Sequence, residues 1–446
     1  MIVRSLFNDM LIIAVFMLAG YLVRELVKPL QRLFLPASLI GGVIALVLGH
    51  QCLGYVEIPG SFSEFSNVLI APIMAALMFG VTITRDKVVG YLDYILVEQG
   101  IYGMQMALGA LIGIVLGGIW PGLPTGWGSL AQFAFQGGHG NAAAAGEVYL
   151  EYGIEGNISV GMVLATFGLI VAMSCGMIMV NIGVRRGWTA FVRDPAGQPA
   201  SYYGGPLPET MRIAVGHLTT SSIAINHLAF QGAWLMISVL AGNKLFSFLG
   251  RFFPIINSFP SLTYSIIGGA LVWNCAKIVK CDKYIDVRLI HHISGFLLEI
   301  VILTAMATLD LELVSAYIVP ILILTLILVG ITILMAFGLS YLFCRDQWFE
   351  KALMAYGVGT GNTATGLALV RAVDPDSLSD APDSHGIYSA VCSWKEIFIS
   401  LIPMWMVSGG AMIVVGIGGL ICGVCVILGF IMFGITKKSD GGEKDQ

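Results

Sequence analysis

Apolar runs long enough to cross a bilayer, parted by short polar connections, fill most of the chain from Asn8 to Gly434. A helix needs about 20 mostly apolar residues to span the hydrocarbon core. Eleven stretches qualify: 8–25, 36–55, 66–84, 100–120, 157–182, 226–248, 260–278, 292–309, 313–343, 387–407 and 411–434. Two more segments, about 128–150 and 350–371, are moderately apolar but interrupted by glycine. The run Met10 to Val23 follows Asn8-Asp9 and ends at Arg24 without a small-residue cleavage site, so it reads as a first span and not as a removable signal.

The interrupted segments repeat one another. Gly138-His139-Gly140-Asn141-Ala142-Ala143-Ala144 is answered 221 residues later by Gly359-Thr360-Gly361-Asn362-Thr363-Ala364-Thr365. A second pattern, LxxSxIGG, occurs at Leu35 to Gly42 and again at Leu262 to Gly269, 227 residues apart. Two patterns in the same order, with offsets differing by a small loop, point to duplication. Glycine pairs inside spans allow helices to approach closely, so Gly41-Gly42 and Gly268-Gly269 read as packing positions.

Charge decides how the interrupted segments run. If both leave and return to the same face, 18 of the Lys and Arg residues share one face and only Arg4, Lys244 and Arg251 lie on the other. If 128–150 crosses instead, that bias collapses. The positive-inside rule therefore favours two re-entrant loops, an N-terminus outside and a C-terminus in the cytoplasm. Five spans precede the interhalf loop, so the second half is inverted relative to the first. The expected fold is an all-α polytopic membrane protein with two inverted five-span repeats, each with a re-entrant Gly-broken loop, plus one extra C-terminal span. The first repeat covers 1–184, a cytoplasmic interhalf loop 185–225, the second repeat 226–407, and the extra span with a cytoplasmic tail 408–446.

Composition agrees with a lipid-facing surface. The 446 residues are 57% hydrophobic and 11% charged, against about 25% charged in soluble domains. A net charge of −4 gives no reason to expect nucleic acid. Cys422 and Cys425 form a CxxC within an apolar run and read as small packing residues. No HExxH, GxGD or GxSxG motif is present, so transport is expected rather than catalysis, with no cofactor beyond a coupling ion.

The interrupted loops carry the candidate chemistry. Glycine lets backbone turn sharply and approach a ligand. A helix beginning after the break offers free N–H groups to an anion, and unwound carbonyls near Gly138 and Gly359 suit sodium. Paired broken helices at matching places in two halves are the pointer to a secondary transporter's binding site. The candidate substrate-binding residues are Gly138, His139, Gly140, Asn141, Gly359, Thr360, Gly361, Asn362, Thr363 and Thr365. His139 could titrate, but its counterpart Thr360 cannot, so hydrogen bonding is their shared capacity. Ionisable residues at membrane depth are costly and functional by default. Glu396 and Glu299 are the ion-coupling candidates, with Lys395 balancing Glu396 or meeting a substrate carboxylate. Arg371 closes the second loop's helix, and Glu147 falls near the outer arm of the first.

The stretch Gly137-Gly138-His139-Gly140, followed by an Ala-rich helix and then Ala165-Thr166-Phe167-Gly168-Leu169, resembles the glutamate:sodium symporter family. Glu396-Ile397 matches an acid followed by isoleucine in that family's last helix. The resemblance covers most of the chain to about residue 407. It implies inverted five-span halves with re-entrant loops, homodimers in the cell (inner) membrane, and sodium-coupled glutamate uptake by an elevator-like movement. The second loop, Gly359 to Gly366, departs from the more Gly-rich, proline-bearing stretch of well-known members. Lys395 and the span 411–434 also look unlike the family. A sodium-coupled carrier of another organic anion, and a sodium/proton exchanger using His139, Glu299 and Glu396, are the alternatives.

Overall fold

The computed structural model describes residues 2–32, 35–80, 85–191, 214–221, 225–253, 256, 259, 261–374 and 378–434. Much of the expected interhalf loop and the tail from residue 435 lie outside these. Among the described residues the only regular structure is helix. The α-helices are α1 (Ile2–Leu26), α2 (Lys28–Arg32), α3 (Ala37–Leu48), α4 (Phe62–Ala76), α5 (Arg85–Gly90), α6 (Leu92–Ile119), α7 (Leu130–Glu151), α8 (Asn157–Arg185) and α9 (His227–Leu249). They continue with α10 (Ser261–Ile278), α11 (Val287–Ala307), α12 (Leu311–Phe343), α13 (Trp348–Val358), α14 (Thr363–Val373), α15 (Ala381–Val391), α16 (Phe398–Val407) and α17 (Ala411–Phe433).

Seven of these are long and apolar enough to cross a membrane, and the bent pair formed by α15 and Ser393–Val407 makes an eighth if it counts as one span. Three expected spans fall short of this measure. The 36–55 stretch holds only the 12-residue α3, which stops at Gly49 in extended backbone. The 66–84 stretch stops helically at Ala76, ahead of a turn in which Gly80 has φ +81°. The 260–278 stretch is a helix of 18 residues diluted by Ser261, Thr263, Ser265 and Asn274. At about 1.5 Å per residue, α3 reaches only about 18 Å. The 387–407 stretch, expected as one helix, bends by 56° where Ser393–Ile397 forms a 3-10 turn.

The helices form two packing groups. In one, α1 lies on α3, α9 on α10, and α11 packs on both α3 and α4. Here both glycine pairs act as packing positions, and in the same way. A β-carbon on Gly20 of α1 would come within 2.9 Å of the Gly41 α-carbon; one on Gly268 would come within 2.9 Å of the Gly242 α-carbon of α9. The second glycine of each pair meets the other half. Gly42 seats against Leu303 and Met306 of α11, and Gly269 against Ala75 of α4. Helix backbones can come this close only where side chains are absent.

The other group holds α6, α7, α8 and α12 to α17. Its centre is α6, which packs on α12 and α17. The contact with α17 runs over small residues: a β-carbon on Gly103 or on Gly418 would come within 2.7 Å of the other's carbonyl oxygen. Cys425 is buried and Cys422 half-buried along this seam, consistent with their reading as packing residues. Helices α4, α10 and α11 join the groups through contacts to α7 and α16.

Candidate functional site

The segment α7 is two helical arms joined at Gly138, where φ is 64° and ψ −153°. That backbone conformation belongs to glycine. The arms run back along each other. The Ser129 and Tyr149 hydroxyls are 2.7 Å apart, whereas 20 residues of straight helix would separate them by about 30 Å. The second hairpin is α13 and α14, joined through Gly359 to Asn362. Thr365 Oγ1 donates to the Gly357 carbonyl across the arms at 2.7 Å, and the Asp380 amide donates to Gln347 Oε1 at the base, also 2.7 Å.

The two bases lie at opposite ends of the same helices. Near the start of α6, Asp93 forms a buried ion pair with Lys351 of α13 at 2.7 Å. Near its end, the Gly113 carbonyl accepts from Trp127 Nε1, just before α7, at 3.2 Å. Those two points are about 30 Å apart along the helix. Helix α8 agrees. Its first residue, Asn157, donates to the Thr125 carbonyl at 3.0 Å, while Gly183 near its end packs on Phe349 of α13.

The two glycine breaks meet. A β-carbon on Gly138 would stand 3.5 Å from the Gly361 carbonyl oxygen and 3.8 Å from the Asn362 β-carbon. Helix α8 passes both: Thr166 Oγ1 lies 3.1 Å from His139 Nε2, and Gly168 packs on the Thr360 carbonyl. Thus Thr166 and Gly168 of the ATFG stretch both face the breaks. Halfway along α6, Gln105 bridges them. Its Nε2 donates to the Gly359 carbonyl at 2.6 Å and to Thr332 Oγ1 at 2.9 Å, and its Oε1 accepts from Gln136 Nε2 at 3.3 Å.

The sequence candidates take different positions here. His139 is buried, with Thr166 as its partner. Gly140 packs on Leu298 of α11. Asn141 donates to Glu396 Oε2 at 3.3 Å. The Gly359 carbonyl accepts from Gln105, and Thr360 Oγ1 donates to the Tyr356 carbonyl at 2.7 Å. Asn362 and Thr365 form a capping box at the start of α14, each side chain taking the other's backbone N–H. Thr363 is exposed, with its hydroxyl 3.2 Å from His385 Nε2. Glu396 lies in the 3-10 turn and not within a regular helix. Glu299 is half-buried on α11 and makes no hydrogen bond or ion pair to the tips. Glu147 is buried, and Arg371 is exposed at the far end of α14.

A polar cluster outside the candidate set borders the tips. Tyr94, Glu98, Tyr102 and Gln105 follow one another at helical spacing along α6. Opposite them are Gln132 and Gln136 of the first hairpin, His385 and Tyr388 of α15, and Lys395. Lys395 Nζ donates to the Tyr388 hydroxyl at 2.9 Å and lies over the Tyr388 and Tyr102 rings, 4.4 and 5.3 Å from their centroids. His385 Nδ1 is 3.3 Å from the Tyr94 hydroxyl. The expected span 100–120 begins two residues after Glu98, whereas α6 begins at Leu92. The four-four-three spacing of polar residues was the signal that could have extended it.

The groups gathered here suit the chemistry of a small polar solute. The start of α14 leaves backbone N–H groups near the tips, the breaks supply carbonyls, and Lys395 and Glu396 supply one charge of each sign. Among the described residues no cluster of three His, Cys, Asp or Glu side chains could hold a metal ion, so a cation here would depend largely on carbonyl, hydroxyl and amide oxygens. No protein-family model matches the chain, and no curated protein matches it.

Proposed function

We propose that the chain is a secondary active transporter, a sodium-coupled symporter of glutamate or a similar small carboxylate. The observation that carries this reading is the meeting of two glycine-broken hairpins whose bases lie at opposite ends of α6. Irregular backbone at membrane depth is tolerated where protein or a wet cavity covers it, and a site between two such tips can open to either face in turn. In this reading the hairpins are re-entrant loops of an inverted repeat. The doubled glycine contacts, Gly20 on Gly41 and Gly242 on Gly268, support it. So does the meeting of the GGHG and ATFGL stretches that carry the likeness to the glutamate:sodium symporters. The packing group of α1, α3, α4 and α9 to α11 would be the scaffold, and the group around α6 the moving part.

Substrate carboxylate would be received by the start of α14 and by Lys395, and sodium by the carbonyls of the breaks with Glu396. The chain acts as a carrier with no cofactor, as a homodimer in the cell membrane. Its basic end, with Arg185, Arg186, Arg345 and Lys351 near the second hairpin's base, faces the cytoplasm. Moving one net positive charge inward gains about 2.3 kcal/mol per 100 mV, enough for roughly fifty-fold accumulation.

Uptake into proteoliposomes tests the reading. Radiolabelled glutamate is offered with and without an inward sodium gradient and a membrane potential, beside aspartate, 2-oxoglutarate and citrate. Accumulation that follows the sodium gradient for one of these acids is the expected result. Indifference to sodium for all of them would end the symport reading.

A further inference from the structure

Glu98 is the buried carboxylate of α6 that its surroundings leave bare. Its side chain is fully enclosed, and neither carboxylate oxygen has a partner in hydrogen-bond geometry. Other acids nearby are provided for: buried Asp93 has Lys351 at 2.7 Å, and half-buried Glu396 has Asn141 at 3.3 Å. An ionised carboxylate without partners is expensive in a dry interior. The nearby cation cannot settle the account alone, because Lys395 is held by Tyr388 and stands beside Glu396 in the same turn. Two carboxylates then share one ammonium, leaving one negative charge in excess.

The remaining neighbours do not supply the missing positive charge. From its own helix Tyr94 and Tyr102 lie one turn away on either side, and α15 brings Tyr388; these are phenols. His385 is engaged with Tyr94 and Thr363. Cys392, and Cys425 on α17, add thiols, while α7 faces Glu98 with the neutral amide of Gln136. A ring of phenols and one amide is a poor shell for a metal ion, which needs several oxygen ligands. A single proton satisfies the charge count with no shell at all.

We propose that Glu98 is an exchangeable proton-binding site whose charge state is relayed to both hairpin tips through Gln136 and Gln105. Binding forms one O–H bond on a carboxylate oxygen and cancels one negative charge; the proton comes from water and returns to it. The relay follows from the amide orientations. The Gly359 carbonyl can only accept, so it fixes Gln105 with Nε2 toward it and Oε1 toward Gln136 Nε2. Gln136 stands beside Glu98, two residues before the Gly138 break. When Glu98 loses its proton, the carboxylate attracts the Gln136 amide and draws its Nε2 away from the long 3.3 Å contact with Gln105 Oε1. Gln105 is then released from the first hairpin while still holding the second. Coupling of this proton to transport rests on the transporter reading above; the protonation itself does not.

Infrared difference spectroscopy on the full-length protein in lipid tests the protonation without any transported solute. Wild type is expected to show a protonated-carboxyl band at neutral pH that shifts in heavy water and disappears at alkaline pH. Glu98→Gln, which keeps shape and mimics the protonated state, is expected to lack it. Persistence of the band in E98Q, or its absence from wild type, overturns the proposal. A band that sodium removes at fixed pH but alkali alone does not would make Glu98 a metal-cation site and overturn the proton assignment. With a transported acid in hand, E98Q is expected to lose solute-driven proton movement and the pH dependence of uptake. An E98Q protein that still moves protons as wild type does overturns the relay. A wild type that titrates but carries nothing would instead count against the transporter reading alone.

Discussion

At the first break a single residue, Gly138, makes the whole reversal; at the second, Gly359 to Asn362 share it and a capping box closes it. The two asparagines that occupy matching places in the repeated motif have parted company. Asn362 turns inward and caps its own helix, while Asn141 reaches out to Glu396 in a different segment. The bases differ as well. A hydroxyl pair, Ser129 with Tyr149, ties the first, and a buried ion pair, Lys351 with Asp93, ties the second hairpin to α6. One sequence pattern thus supports one shape by two sets of interactions. At the tips the second hairpin is closed by its own side chains and the first leans on its neighbours; at the bases the roles are reversed.

The ion pair gives the largest expected effect. Lys351→Met leaves Asp93 buried without its counter-charge and should cost about 3–5 kcal/mol, read as a drop in thermal unfolding temperature in detergent or lipid. Replacing both residues with apolar ones should recover most of it. A K351M protein as stable as wild type would remove the contrast between the bases. Next comes Gly138→Ala, which forces an L residue into a glycine conformation at about 1–3 kcal/mol and should also stop uptake. Gly359→Ala, at φ −71°, should cost less; equal losses would mean that the two breaks share the same strain.

The asparagines separate stability from function. Asn362→Ala removes a cap and should cost about 0.5–2 kcal/mol, visible in unfolding. Asn141→Ala should leave unfolding nearly unchanged while altering the sodium dependence of uptake through Glu396. Finding the two profiles interchanged would reverse the assignment of the two residues. Smallest of all, Tyr149→Phe should cost about 0.5–1.5 kcal/mol, measured by the same unfolding assay.

Much of this was legible in the residues. Glycine is the one side chain whose absence can be read directly, so the breaks at Gly138 and Gly359 and the packing role of Gly41-Gly42 and Gly268-Gly269 followed from pattern. Helix lengths did not. Apolar content alone does not show that α3 ends at Gly49 and α4 at Ala76, so both come out shorter than the hydropathy suggests. The turn at Lys395 and Glu396 has neither Gly nor Pro to announce it; the phenols of Tyr102 and Tyr388, distant in sequence, accompany it. Glu98 lies two residues before the expected span 100–120, beyond the reach of a count of apolar residues. In the folded chain the helix continues past it and encloses it.

The crossed glycine contacts bear on how the chain is made. Gly42 rests on Leu303 and Met306, and Ala75 on Gly269, so the early helices emerge from the ribosome with grooves that only later helices can fill. Neither half is finished when first synthesised. Assembly then resembles the association of two tethered subunits more than the stepwise addition of spans, and the connection between the halves serves to keep the right partner close.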